Sequence, residues 1–307
     1  MNELKKVKHR FFAVTLFFCS LSLLAVLSPP LLAEEKVHEK HGKLTRPVAG
    51  MSVDEFMKVY YQIKYVKDCR DYYCLGGLYL VNKNGFKRER RWDRYRIILD
   101  DHKNGIDYKD LIVFTQPQNV KGLAVLTWTY LDPNRDQDVW LWLPSLRKIR
   151  RVSQTEEDDS FLGTDWTYEE CTTRTWEDEI YRLLGEESFP GYTSKYNNSE
   201  FNKGVACYLV EAKPKKKDWY YLKRNIFLNK DTAQNIFEEL YDSKGVAFKT
   251  LSRLWGDFGG PYVTEDYIEV VDFRTDHMSI IDVEKVVYDQ GLNENFFSER
   301  TLMRTKW

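Results

Sequence analysis

Histidine and cysteine are both scarce in this chain, five of each in 307 residues. Four histidines lie beyond the first thirty residues, His38, His41, His102 and His277. None accompanies a serine or cysteine motif. G-x-S-x-G, H-E-x-x-H, the phosphate-binding P-loop and G-x-G-x-x-G are all missing. Their absence removes the common hydrolases, the zinc proteases and the nucleotide-binding folds that those motifs serve. Acids are abundant, so a catalytic carboxylate pair stays open. The formal net charge is −1, which supplies no basic field and argues against nucleic acid as a partner. No internal repeat is visible. After the first thirty-odd residues no run is long and apolar enough to span a bilayer.

What is present begins with an export signal. Lys5, Lys6, Lys8 and Arg10 precede an apolar run, Phe11 to Leu27, and Leu31-Leu32-Ala33 leads into charge at Glu34. The pattern predicts a signal peptide over residues 1–33, cleaved after Ala33; an uncleaved anchor is the alternative, the run being slightly long. Cys19 follows Phe18 rather than a small residue and is no lipidation site. Cleavage would leave a net charge of −4, because four Lys/Arg and Glu3 depart together. Residues 34–50 read as a polar linker, and 51–307 as a single domain.

Four cysteines remain, Cys69, Cys74, Cys171 and Cys207. An even number in an exported protein predicts two disulfides. Of the three pairings, Cys69–Cys74 with Cys171–Cys207 is favoured. A metal site competes poorly, since C-x-x-C is missing and no histidine is near.

Ser52 and Glu55 have the spacing of a capping box, and Val53, Phe56, Met57, Tyr60 and Ile63 share one helical face. From Leu75 the chain reads mostly as strand. Turn signals recur at Gly76-Gly77, Asn84-Gly85, Asp132-Pro133-Asn134 and Asp242–Gly245. Thr175 to Leu184 is expected to start as helix and end as strand. Strands are expected at Val205–Ala212, Tyr220–Asn229, Asn235–Tyr241, Val246–Leu254, Tyr262–Asp272 and Met278–Tyr288. Hairpin-spaced strands in such number predict a barrel or a sandwich.

The stretch from Asp138 to Glu170 organises the rest. DVWLWLPSLRKIRRV gives a strand, a proline that ends it, and a cationic strand; SFLGTDWTYEE follows an acidic insert. The acids Glu156–Asp159 read most simply as a solvated loop, without the ligand alternation of a calcium site. This string resembles the signature of the LolA-like outer membrane lipoprotein-sorting family, whose superfamily includes the LolA and LolB carriers. GVACYLVEAKP, the YDSKG turn and NENFFSERTL extend the resemblance over most of residues 50–302. It implies an α+β fold, a half-open antiparallel barrel with an N-terminal helix and short lid helices over an apolar cavity.

The resemblance also implies a periplasmic, non-enzymatic carrier without a cofactor. Such a carrier binds acyl chains of lipoproteins or lipids and moves them toward the outer membrane. Its partners would be an inner-membrane transporter and the outer membrane. A cell-envelope scaffold with a filled barrel is the alternative. Leu126, Trp128 and Tyr130 share one strand face, and Trp140 and Trp142 another. These five are the candidate walls of an acyl cavity, although both faces of both strands are apolar. Arg147, Arg150 and Arg151 are candidates for a lipid headgroup or a partner, against the plainer reading of a solvated strand.

Overall fold

Ser52 caps the first helix, α1 (Val53–Lys64). Its backbone N–H donates to Glu55 Oε2 (2.8 Å) and its hydroxyl accepts from the Glu55 N–H (3.3 Å), closing the expected box. The buried face comprises Phe56, Met57, Val59, Tyr60, Tyr61 and Ile63. A stripe this wide needs cover on more than one side. The computed structural model that supplies these coordinates describes residues 39–40, 43–44, 46–99, 103–132, 134–153 and 156–304. The expected signal peptide lies outside them, as do eight of the seventeen linker residues.

The cover is one antiparallel sheet of thirteen strands. In chain order these are β1 (Asp71–Val81), β2 (Lys87–Ile98), β3 (Ile106–Gln116), β4 (Ala124–Tyr130), β5 (Asp138–Leu143) and β6 (Lys148–Val152). They are followed by β7 (Glu179–Ser188), β8 (Ala206–Pro214), β9 (Lys223–Asn229), β10 (Asn235–Tyr241), β11 (Ala247–Asp257), β12 (Val263–Asp272) and β13 (His277–Tyr288). Their spatial order runs β6 to β1, then β13 back to β7. Two meanders are thus joined at a central seam, where Met278 pairs with Val81 and Tyr288 with Tyr72. The free edges are β6 and β7, so the sheet is not closed into a barrel.

Turn chemistry sets the hairpins. Asp242 Oδ1 accepts from the amides of Lys244 and Val246 (both 2.9 Å), and Gly245 takes the left-handed φ of +76° that the hairpin needs. Pro144 follows the last residue of β5, as expected. His277, one residue before the expected strand, opens β13. Thr175 to Leu184 makes a single 3₁₀ turn, Trp176–Asp178, before β7.

The sheet wraps α1 from both meanders. Phe56 meets Tyr208 of β8 edge-to-face at 5.1 Å, while Tyr65 stacks on Tyr108 of β3 at 5.5 Å. Arg96 of β2 donates to the Tyr65 carbonyl (2.7 Å), and Arg224 of β9 to the Tyr61 hydroxyl (3.0 Å). The outer face of β2–β6 is covered by the segment after β13, which ends in the short helix α2 (Glu299–Leu302). Asp71 pins that segment's start by accepting from the amides of Gln290, Gly291 and Leu292. Among the described residues no helix is long and apolar enough to cross a membrane.

Candidate functional site

Between β6 and β7 the chain must travel from one free edge of the sheet to the other. It does so across the concave face, and the described part of this crossover, residues 156–178, contains SFLGTDWTYEE. Leu162 and Gly163 both have positive φ, +54° and +80°, and fold the strip back on itself. Phe161 N–H then donates to the Trp166 carbonyl (2.7 Å), and the Thr164 hydroxyl to the Phe161 carbonyl (2.7 Å). Phe161, Trp166 and Tyr168 point inward and are buried, with Phe161 edge-on to Tyr168 at 5.2 Å. A π-helical turn, Glu169–Thr173, comes next.

Polar bonds fasten this strip to the sheet. Asp165 accepts from the Ser279 hydroxyl (2.6 Å) and lies 2.7 Å from His277 Nδ1. Arg90 donates to the Leu162 carbonyl (2.8 Å). Lys249 of β11 binds both Glu170 oxygens (2.9 and 3.1 Å) and the Asp165 carbonyl (2.9 Å).

Under the strip and around α1 runs a layer of buried ion pairs. Arg94 and Arg96 share Asp110; Arg174 holds Glu169; Arg224 joins Glu179 to Glu238; Arg253 joins Glu238 to Glu265. Burial works to raise the carboxylate pKa values, but the cations outweigh it. Lys249 and Arg174 hold Glu170 below its ordinary range, and Arg253 and Arg224 hold Glu238 well below. Buried charges survive only when paired and hydrogen-bonded in this way.

One cavity of about 100 Å³ lies between crossover and sheet. Successive inward positions of β2 run Trp92, Arg94, Arg96, mixing aromatic and charged side chains. Trp92, Phe114, Phe161 and Trp166 line the cavity, and so do Lys64, Arg94, Glu170, Arg253 and Glu265. A wider cleft of about 450 Å³ lies at the end of α1, between the 131–137 and 214–219 segments. Trp176 and Trp219 line it, with Lys58 and Lys216 over their rings at 4.1 and 4.0 Å.

The structure brings Leu126, Trp128, Trp140 and Trp142 together, but on the outer face, under Phe297 and Leu302. Trp128 meets Trp140 edge-on at 5.1 Å and donates to the Phe297 carbonyl (3.1 Å). The inward positions of the same strands are Val125, Val139 and Leu141, whose smaller side chains leave room for the crossover. Tyr130 lies apart, in the wide cleft, with its hydroxyl on Asp138 (2.6 Å). Arg147, Arg150 and Arg151 are exposed at the free edge of the sheet. Arg150 pairs with Glu156 and Arg151 with Asp138, and cations on an edge strand also discourage edge-to-edge association.

The expected disulfides are corrected: Cys69, Cys74, Cys171 and Cys207 form none. Cys207 packs with Phe189 and Ile236, in a cluster separate from the one that Cys171 joins. The Cys69 thiol is turned to the Val66 carbonyl (3.1 Å) rather than to Cys74. Burial pushes the Cys74 thiol up to about 12 and that of Cys207 to about 11. Among the described residues no group of three His, Cys, Asp or Glu side chains is placed to hold a metal. The ionic layer is the part that sequence reading missed. Its one signal was parity, since Arg94 and Arg96 alternate in step with Trp92.

A family model described as "Uncharacterized protein" matches residues 107–304. No protein of curated function matches the sequence. Solved structures do. A domain assigned to outer membrane lipoprotein sorting from Vibrio parahaemolyticus is 23% identical with a TM-score of 0.69, covering 82% of this chain and 98% of its own. A DUF1329 family protein from Desulfovibrio piger is 26% identical with a TM-score of 0.66, covering 80% and 98%. A LolA superfamily protein from Nitrosomonas europaea is 14% identical with a TM-score of 0.58, covering 82% and 99%. The fold is therefore LolA-like, as the motif implied.

Proposed function

Since the chain belongs to the family whose model spans residues 107–304 and has a LolA-like fold, we propose that it is a periplasmic, non-enzymatic carrier. It takes up an acyl-bearing amphiphile from an inner-membrane partner and passes it toward the outer membrane. One observation carries this reading: the cavity under the crossover is lined by both aromatic and charged side chains, which suits a molecule with a tail and a polar end.

At about 100 Å³ the cavity is smaller than the 300–1,000 Å³ typical of small-molecule sites. A chain must therefore displace the inward side chains of the crossover. Moving Phe161 and Trp166 off the sheet costs roughly 6–10 kcal/mol, by analogy with large-to-small core changes. A chain of about sixteen carbons returns roughly 12 kcal/mol at about 0.8 kcal/mol per methylene. The exchange favours binding by a small margin, as reversible delivery requires. The crossover is the lid in this reading, and the cleft at the end of α1 is the entrance.

Native mass spectrometry of protein purified without detergent tests the proposal, together with tryptophan quenching by a fluorescent fatty acid. A bound lipid mass and saturable quenching are expected. The filled concavity favours one rival, an envelope scaffold. No adduct and no quenching at any lipid concentration would establish that rival and remove the carrier.

A further inference from the structure

Two hydrogen-bond donors in the wall of the narrow cavity lack an acceptor. Arg253 is 4% exposed. Its Nε donates to Glu265 (2.9 Å) and Nη2 to Glu238 (2.6 Å), but Nη1 has no partner among the described residues. Trp92 is 8% exposed and its indole N–H is likewise unmatched. Buried donors are matched in nearly all folded proteins, so each such orphan calls for an explanation. Lys64 stands in the same wall. Its ammonium donates to the Glu170 carbonyl (3.2 Å) and lies over the Tyr61 and Tyr65 rings, and among the described residues no carboxylate pairs with it.

The charges that line the cavity are unbalanced. Lys64, Arg94 and Arg253 are cations; Glu170 and Glu265 are acids. Both acids are already engaged, Glu170 by Lys249 and Glu265 by the Arg253 Nε. Arg94 is spent on Asp110. What remains available is the ammonium of Lys64 and one face of the Arg253 guanidinium, in a cavity that Trp92, Phe114, Phe161 and Trp166 also line.

Resting on the carrier reading, we infer that the ligand is a single-chain amphiphile with an anionic head. Lys64 and Arg253 Nη1 bind the head, and the tail lies along Trp92, Phe114 and the displaced crossover. A carboxylate and a phosphate share this chemistry: each offers charged oxygens to an ammonium and a guanidinium. The acylated cysteine of a lipoprotein, joined through neutral amide, ester and thioether groups, does not.

The test is isothermal titration of the purified full-length protein with dodecanoate, dodecyl phosphate and methyl dodecanoate. It is repeated on K64M and K64R. Both anions are expected to bind the unaltered protein at least about tenfold more tightly than the ester, and the tighter of the two identifies the head. K64M should erase that preference without changing ester affinity, and K64R should restore it. An ester that binds as tightly as the anions overturns the inference and leaves the carrier reading standing. So does a K64M variant that keeps the anion preference. Failure of all three probes to bind overturns both.

Discussion

Replacing Lys64 with methionine should make the folded protein more stable, not less. Burial, with Arg174 adding to it, pushes the Lys64 ammonium from its ordinary 10.5 down to about 8, although Glu265 and Glu238 act in the other direction. Arg174 and the Glu170 carbonyl face it from the crossover, Arg253 and Glu265 from the sheet, and Tyr61 and Tyr65 from its own helix. A depression of that size corresponds to roughly 3 kcal/mol against the charged form in the native state. Lys64 is only half-buried, so solvent screening brings the expected gain of K64M to about 1–2 kcal/mol near neutral pH. The pH dependence has a definite sign. Between about pH 8 and 10.5 the unfolded chain holds this proton and the native state does not, so wild-type stability climbs with pH across that window. The advantage of K64M should therefore be full below pH 8 and shrink above it. Urea unfolding of both proteins, followed by tryptophan fluorescence near pH 7 and near pH 9.5, reads the difference directly. A K64M protein that is less stable at neutral pH, or an advantage that does not shrink, would refute the reasoning. A lysine that costs stability where it stands is one whose charge serves something other than the fold.

Three further outcomes are expected. Lys249→Met removes the cation hydrogen-bonded to Glu170 and leaves it only Arg174 at 3.9 Å, so it should cost about 2–4 kcal/mol in chemical unfolding, since a buried carboxylate loses its main partner; a loss under about 1 kcal/mol would show the pair to be solvated. Phe297→Ala removes the ring that covers Leu126 and Trp128 on the outer face and should cost about 3–5 kcal/mol while leaving amphiphile affinity unchanged; a large affinity loss would return those tryptophans to the binding site. A thiol reagent should label none of Cys69, Cys74, Cys171 and Cys207 in the native protein and all four after unfolding without reductant; fewer than four would restore a disulfide.

Local signals in the sequence were readable because their physics is local. The Ser52–Glu55 box and the apolar spacing behind it define α1 within one turn of chain. Asn84-Gly85 and Asp242–Gly245 announce hairpins for the same reason. Thr175 to Leu184, expected to start as helix and end as strand, keeps only one turn, because pairing with β8 recruits the stretch after Asp178 into the sheet and leaves Ile180 exposed. The inward face of β4 and β5 was not legible. Odd and even positions are both apolar there, and the choice is made by residues 292–302, more than a hundred positions away in the chain. The ionic layer was hidden by the same distance. Arg94, Glu238 and Arg253 each look like a wet strand position until their partners arrive from other strands. The cysteine count misled because evenness is a statement about composition, and bonding depends on separation in space.

The seam between β1 and β13 bears on how the chain reaches its native state. Every other neighbour pair in the sheet except those at the seam joins strands that follow one another in sequence, whereas Met278 must find Val81 and Tyr288 must find Tyr72. Closing so large a loop costs entropy that the two meanders, built from short hairpins, do not face. Each meander is therefore expected to form early and the seam last. Pulse-labelled hydrogen exchange would see this as late protection of β1 and β13 amides, and early protection there would contradict it. Until the seam closes, two strands that are central in the finished sheet are unpaired edges of their meanders, which makes the half-assembled chain a natural client for a holdase.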